Sequence, residues 1–211
     1  MHADPEVGII KVEDAKGKLL GVAFNYGCHP STLDLHSFKF TEDWPYYSIR
    51  GIKEKVGKNV WVAFYQSAQG DSKVGYTAEL SAVGAEMNIR TFEYAEYKGN
   101  MMVDAVLKVL PSIKTSSSLD VAVTEKNFEL PAREGYRLTA DEAQKQADAA
   151  KAALDAAEKQ ADVYGKRIID AYRVENYLAT LRLSAAKRFN APNRQKTIRI
   201  IQQAVRIGDT A

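Results

Sequence analysis

The sequence predicts an α/β protein, with a mixed sheet and flanking helices, followed by a long α-helical hairpin in the C-terminal half. In the first third, short β-rich runs alternate with turn signals and helical segments, an order typical of helices packed on a sheet. Beyond residue 138, an alanine-rich stretch places apolar residues three or four positions apart, which is the period of an amphipathic helix. We therefore expect an α/β part over residues 1–135, a helical hairpin over 136–190 and a returning strand of the α/β part over 191–211.

The first two strands are predicted to form a β-hairpin. One β-rich run covers Val7–Val12, a polar turn with a glycine follows, and a second run covers Leu19–Asn25. The second run is apolar nearly throughout, which favours burial on both faces of a sheet. An irregular loop then leads to a helix that has Asp43 as its N-cap, Pro45 in its first turn and Gly57 at its end.

Further strands and helices are predicted in the rest of the α/β part. Val60–Gln66 is β-branched or aromatic at most positions and predicts a strand. We expect one helix over Ala78–Tyr97 and another over Met101–Leu110, with Gly99-Asn100 between them. The segment Leu119–Leu130 is predicted to be extended.

The helical hairpin begins with a capping box, in which Thr139 accepts from the Glu142 N–H while the Glu142 side chain reaches back. We expect this helix to reach about Tyr164 and to break at Gly165, before a second helix over residues 167–189. A stripe of alanines allows close approach but buries little area, so we expect the hairpin to be the least stable part. A strand over residues 197–207 follows.

Composition limits the function classes. The 211 residues carry 29 Lys and Arg against 27 Asp and Glu, a net charge of +2, and 45% of them are hydrophobic. These values are typical of a globular protein and disfavour a disordered tail or a nucleic-acid binder. The longest apolar runs are far shorter than the roughly 20 residues that cross a bilayer. The single cysteine, Cys28, excludes an internal disulfide, and we interpret it as a small buried residue.

The first loop with chemical interest follows the buried second strand and contains His29. Residues at strand ends of α/β sheets are held rigidly beside a crevice, and neutral imidazole is a good zinc ligand. The simpler alternative is that His29 only binds a backbone carbonyl. His36 is a possible second ligand, although its neighbours favour a surface position.

The second loop, Gln66–Ser72, follows the next predicted strand. Its small residues allow a ligand to approach the backbone, and Asp71 is suited to orient a metal-bound histidine or a water. The alternative is an ordinary turn rich in Gly, Asp and Ser. Together the two loops predict that His29 and Asp71 lie at the ends of strands that could be neighbours in one sheet.

Several motifs occur in an order that resembles the neutral/alkaline ceramidase family, and specifically a central slice of its N-terminal catalytic domain. The resemblance covers nearly all of the chain, and its most specific part is the His-Pro-Ser-Thr element. The motifs are Asp4-Pro5-Glu6-Val7-Gly8, Asn25-Tyr26-Gly27-Cys28-His29-Pro30-Ser31-Thr32, Asp43-Trp44-Pro45, Gln66-Ser67-Ala68-Gln69-Gly70-Asp71, Leu130-Pro131-Ala132-Arg133, and Ile200 through Arg206-Ile207-Gly208-Asp209.

This resemblance implies a zinc-dependent amidase that hydrolyses the N-acyl bond of ceramide to sphingosine and a fatty acid. It implies that His29 is a zinc ligand and that Asp71 and Ser72 are candidate catalytic residues. The other ligands of the family, an upstream histidine and a downstream glutamate and tyrosine, are expected outside this chain, so we expect the chain alone to bind zinc weakly and to be inactive. The resemblance also implies an extracytoplasmic or secreted protein and a lipid or amide substrate, present at a membrane surface without a transmembrane segment.

The sequence also departs from the family pattern. Lys73 and Val74 stand where the family has an active-site serine and proline, Ser72 is one position early, and Tyr46 replaces a glycine. A related hydrolase of other amides or esters is therefore an alternative. A second alternative is a non-catalytic interaction domain that associates through the alanine-rich hairpin. An unpaired final strand predicts self-association of the isolated chain.

Overall fold

The computed structural model describes residues 4–33, 37–70, 72–75, 77–117, 119–133 and 135–208. It divides into two compact units, Met1–Ser117 and Ser118–Ala211. The sequence placed the end of the α/β part at residue 135, so the observed boundary comes earlier. The mixed α/β content with long C-terminal helices confirms the predicted fold class.

A mixed three-stranded sheet organises the first unit. Its strands are β1 (Gly8–Glu13), β2 (Leu19–Tyr26) and β3 (Trp61–Gln66), in the order β1-β2-β3. β1 and β2 form the predicted antiparallel hairpin, and β3 lies parallel to β2 on its other side. The central strand is the most buried, since Val22 and Phe24 are fully inaccessible to solvent, as its apolar sequence predicted.

The first unit also contains α1 (Trp44–Val56), the short α2 (Ala78–Ala82), α3 (Phe92–Val109) and a 3₁₀ turn over Leu110–Ser112. The predicted start and end of α1 are confirmed: the Asp43 carboxylate accepts from the Trp44 N–H, and Gly57 ends the helix with a φ of 119°. α1 and α3 pack together beside β2. The shared core consists of side chains from all three elements, including Val22, Phe24, Trp44, Ile52, Met102, Val103 and Val106.

The predicted division between two helices at Gly99-Asn100 is wrong. The predicted helix over residues 78–97 is divided into the five residues of α2 and the start of α3, which begins after Thr91, whose hydroxyl accepts from the Tyr94 N–H. The new helix then continues through Gly99. A Cβ at Gly99 would lie 2.5 Å from the Tyr47 Cβ and 2.8 Å from the Trp44 carbonyl oxygen. The glycine is therefore needed for contact between two helices and does not end one.

The second unit pairs β4 (Val121–Pro131) with β5 (Thr197–Ile207) in an antiparallel two-stranded sheet. The pairing runs the full length of both strands, from Val121 opposite Ile207 to Pro131 opposite Thr197. The sequence correctly predicted that both segments are extended, but it placed them with the first part of the chain. The observed pairing joins them to each other within the second unit.

Along the chain, two helices come between β4 and β5: α4 (Ala140–Glu158) and α5 (Ala161–Phe189). They pack against each other. The predicted capping box is present at Thr139 and Glu142. The first helix ends six residues earlier than Tyr164, and the predicted break at Gly165 is a kink inside α5 with a φ of 70°. The predicted apolar stripe is buried at Ala143, Ala147 and Ala157, half-buried at Ala150 and Leu154, and exposed at Ala161.

Among the helices that fall within the described ranges, none combines the length and the apolar character needed to cross a membrane.

Replacing Gly99 with alanine is expected to destabilise the first unit by about 1–3 kcal/mol, because the added methyl meets backbone atoms of α1 that cannot move cheaply. This loss exceeds the gain of about 1 kcal/mol in helix propensity. The chain has two tryptophans, Trp44 and Trp61, both in the first unit, so urea unfolding followed by tryptophan fluorescence reports on that unit. Asn100→Ala on the exposed side of α3 is the control, and equal stability of both variants would contradict the prediction.

The capping box predicts a pH dependence at the start of α4. Hydrogen bonds from the backbone and side chain of Thr139 hold the pKa of Glu142 below its ordinary value of 4.5. Since the folded pKa is lowered, this stabilisation is complete above pH 4.5 and is lost as the pH falls through the folded value. Amide hydrogen exchange in the first turn of α4 should therefore quicken on acidification, and Glu142→Gln should remove that change. Glu129→Gln on β4 controls for net charge; an unchanged pH response in Glu142→Gln would refute the prediction.

Candidate functional site

The candidate site lies where two parallel strands end at the same edge of the sheet. β2 ends at Tyr26 and β3 at Gln66, and these two residues are opposite each other in the register. The loop with His29 follows the first strand and the loop with Gly70 follows the second. The sequence predicted that these strands could be neighbours, and the structure confirms it. Ligands of α/β proteins usually bind beside such carboxyl ends.

The His29 side chain is held in one orientation by the second loop. Its Nε2 lies 3.1 Å from the carbonyl oxygen of Gly70. Because a carbonyl oxygen only accepts, Nε2 carries the proton, and in the neutral ring Nδ1 keeps its lone pair. The backbone N–H of His29 donates to the Ser72 carbonyl at 2.9 Å. This contact is the one that the simpler alternative predicted, and metal-ligating histidines also usually donate one ring N–H to such a group.

The backbone around His29 is fixed by two side chains that the sequence analysis did not identify. The Gln66 amide donates to the carbonyls of Tyr26 and Cys28, at 3.1 Å each, and so joins both loops. The indole N–H of Trp44 donates to the His29 carbonyl at 3.2 Å. Two features of the sequence could have pointed to these residues. Gln66 is a polar residue at the end of an apolar strand, and Trp44 is a large aromatic residue in the first turn of a helix.

Close approach of the two loops depends on Gly27. A Cβ at this position would lie 2.8 Å from the Ala68 carbonyl oxygen, a distance that real Cβ atoms do not show. Any side chain at residue 27 would therefore push the second loop away from the first. The glycine before Cys28-His29 is required by packing, and its φ is negative.

Asp43 connects the end of the His29 loop to α1. Its two carboxylate oxygens accept from the Trp44 N–H at 2.8 Å and from the Leu33 N–H at 3.0 Å, and the residue is 3% exposed. Its φ of 59° and ψ of −149° form a backbone conformation that residues other than glycine rarely adopt. One carboxylate thus caps the helix and holds the loop that carries the histidine.

The predicted site residues are only partly brought together. Ser72 lies beside His29 through the backbone contact, while Asp71 and His36 fall outside the described residues. Within the described part of the chain, His, Cys, Asp and Glu side chains form no group of three that could hold a metal ion. His29 is therefore one oriented donor, and its assignment as a zinc ligand stays a prediction.

A separate cleft of about 370 Å³ lies in the same unit, with Cys28 and Ser72 in its wall. His29 does not line it. Cys28 is buried, as predicted, and desolvation raises the pKa of its thiol, an effect that a hydrogen bond with Ser72 and the charge of Lys98 partly offset. The thiol is therefore protonated at neutral pH and is a poor nucleophile.

Comparison with known proteins gives one structural likeness. No family model matches the chain, and no curated protein matches it. A solved structure described as "Ceramidase complexed with C2" is 16% identical with a TM-score of 0.46, and the match covers 58% of this chain and 19% of that one. The matched part of the chain thus spans less than a fifth of that protein.

Replacing Gln66 with methionine should loosen the two loops, because the Cys28 carbonyl loses the Gln66 donor and the Tyr26 carbonyl keeps only that of the Ser67 N–H. A hydrogen bond of this partly exposed kind contributes about 0.5–1.5 kcal/mol, so transient opening should become roughly fivefold more frequent. Cys28 is the chain's one thiol, and its rate of alkylation under native conditions measures that opening. Gln202→Met on exposed β5 is the matched control. Equal alkylation rates in the two variants would exclude the positioning role of Gln66.

Proposed function

We propose that this chain forms part of a zinc-dependent hydrolase that cleaves the N-acyl amide bond of ceramide or a related lipid amide, with His29 as one metal ligand. The observation that carries the proposal is the contact between the His29 Nε2 and the Gly70 carbonyl. In this tautomer Nδ1 has a lone pair that can bind a metal ion. The resemblance of the His-Pro-Ser-Thr element to the neutral/alkaline ceramidase family supports it. An extracytoplasmic location is part of the same proposal.

The number of zinc ligands that this chain can supply is smaller than a catalytic site needs. A catalytic zinc takes about three protein ligands and keeps one position open. His29 fits such a site as one ligand, and the described residues bring no second and third ligand beside it. The proposal therefore places the remaining ligands outside the described residues. When bound, zinc lowers the pKa of its water and polarises an amide carbonyl.

The chain's own residues have positioning roles in this proposal. The Gly70 carbonyl selects the tautomer of His29, and Gln66 and Trp44 hold the loop backbone against which the ring is set. Ser72 remains a candidate catalytic residue because its backbone carbonyl accepts a hydrogen bond from the His29 N–H, which keeps the two residues in contact. Asp71 remains a candidate from the sequence alone.

Two alternatives to this proposal are an interaction module and a hydrolase of other amides or esters. An interaction module that uses the alanine stripe is disfavoured, because Ala143, Ala147 and Ala157 are buried within the second unit and the stripe is exposed only at Ala161. A hydrolase of other amides or esters remains open, since Lys73 and Val74 differ from the family pattern. Lipid amides, simple amides and the matching esters should therefore be assayed side by side.

His29→Ala is expected to abolish both zinc content and amidase activity in the full-length protein that contains this chain, because an oriented ligand is lost. Metal is measured by elemental analysis and activity with an N-acyl sphingosine. Cys28→Ala is the control, and we expect it to keep both properties. Retention of zinc and activity by His29→Ala would overturn the proposal.

Zinc titration of the 211-residue chain tests the number of ligands separately. One imidazole is expected to bind zinc weakly, so dialysis should leave the chain with far less than one zinc per molecule. Tight stoichiometric binding by the isolated chain would show that this chain holds a more complete site than His29 alone.

A further inference from the structure

Both outer edges of the two-stranded sheet in the second unit are open. The sequence predicted an unpaired final strand, whereas β5 pairs with β4 along its full length, and no third strand joins either of them in the described part of the chain. All but one of the residues of β4 and all but two of those of β5 are exposed. A two-stranded ribbon by itself is marginally stable in water, so further strand pairing would stabilise this one.

The phase of the ladder determines which backbone groups face the open edges. The Gly208 N–H donates to the Asp120 carbonyl at 2.9 Å, and the Ala132 N–H donates to the Lys196 carbonyl at 2.8 Å. These contacts continue the register of the two strands, in which hydrogen-bonded pairs alternate with non-hydrogen-bonded pairs. Even-numbered residues therefore bond across the ribbon, and odd-numbered residues direct their N–H and C=O groups to the open edges. On β5 these residues are Thr197, Arg199, Ile201, Gln203, Val205 and Ile207.

The edge of β4 is protected against pairing with a second copy of itself. Its sequence contains Glu125, Lys126 and Glu129 and ends at Pro131. Antiparallel pairing of two β4 strands about their middle residue would place Lys126 opposite Lys126, and pairing about Asn127 would place Glu125 opposite Glu129. Like charges directly opposite each other are destabilising. Charged residues and proline protect the edges of natural sheets in this way.

The edge of β5 has no such protection. The strand contains no acidic residue, lysine or proline, and its two charged residues, Arg199 and Arg206, lie near opposite ends. Antiparallel pairing of two β5 strands about Gln202 would place Arg199 opposite Val205 of the second copy and Arg206 opposite Ile198. No like charges are then opposite each other, and every outward N–H and C=O group of the strand has a partner. The β5 edge is therefore complementary to itself.

We propose that two copies of this chain associate through β5, antiparallel about Gln202, and form one four-stranded sheet in the order β4-β5-β5-β4. Such pairing uses the same edge of both copies, so it is closed by a two-fold axis and produces a dimer. The charged β4 strands remain at the outer edges and oppose the addition of further copies. The inference goes beyond the proposed function and does not depend on it, because it uses no residue of the first unit.

Sedimentation velocity of the 211-residue chain over a range of concentrations tests the dimer. The chain should sediment as a dimer that dissociates on dilution. Gln203→Pro should weaken dimerisation at least about tenfold, because each copy loses an outward N–H. Glu125→Pro is the matched control and should leave the dimer unchanged. Glu125 lies opposite Gln203 and accepts from its side chain at 2.7 Å, so both variants lose the same hydrogen bond.

Three results of this experiment would overturn the proposal. They are a chain that stays monomeric at all concentrations, an open-ended series of larger species, and equal weakening by the two proline variants when circular dichroism shows both to be folded as the parent chain is.

A cysteine at residue 202 tests the register independently of the proline variants. In the Cys28→Ala background, Gln202→Cys places the one thiol of each copy opposite the other, at a non-hydrogen-bonded position where Cα atoms are about 4.5 Å apart. This separation allows a disulfide. Addition of an oxidant should therefore convert most of Gln202→Cys to a covalent dimer on non-reducing electrophoresis. Lys126→Cys, opposite residue 202 on β4, is the control and should stay monomeric on the gel. Equal cross-linking of the two variants, or none at residue 202, would exclude the proposed pairing.

Discussion

The parallel pairing of β2 with β3 is the constraint on which the rest of the candidate site depends. Parallel neighbours end at the same edge of a sheet, so the loops that follow them emerge side by side although they are about 40 positions apart in the chain. The burial of the central strand keeps this pairing in one register, because a slip of one residue would turn Val22 and Phe24 away from the core. The orientation of His29 follows from this pairing, since Gly70 is on the neighbouring loop.

The helices support this edge through a small number of residues that serve two purposes. Trp44 packs edge-on against Phe64 in the core, with 5.0 Å between ring centres, while its indole N–H holds the His29 carbonyl. Asp43 starts the same helix and binds the loop at Leu33. Gly99 allows α3 to approach α1 closely, where the Ser48 hydroxyl bonds the carbonyls of both Trp44 and Gly99. The site is therefore coupled to core packing and is not an independent loop feature.

Two adjacent residues, Cys28 and His29, belong to different environments. The thiol enters the apolar cleft and the imidazole turns to the Gly70 loop. Ser72 lies between these environments, since it lines the cleft and its carbonyl binds the His29 N–H. The chain thus has one oriented metal-ligand candidate and, beside it, a cleft that His29 does not line.

The sequence by itself determined the strands, the start and end of α1, the capping box at Thr139 and the burial of Cys28. Each of these features depends on residues that are close in the chain or on the spacing of apolar residues. Long-range contacts decided what the pattern could not. Gly99 resembled a helix break in the sequence, but it lies where α1 crosses α3, and β5 pairs with β4 instead of the first sheet. The tautomer of His29 and the role of Gln66 likewise depend on atoms about 40 positions away, which a sequence can place only after the strands have paired.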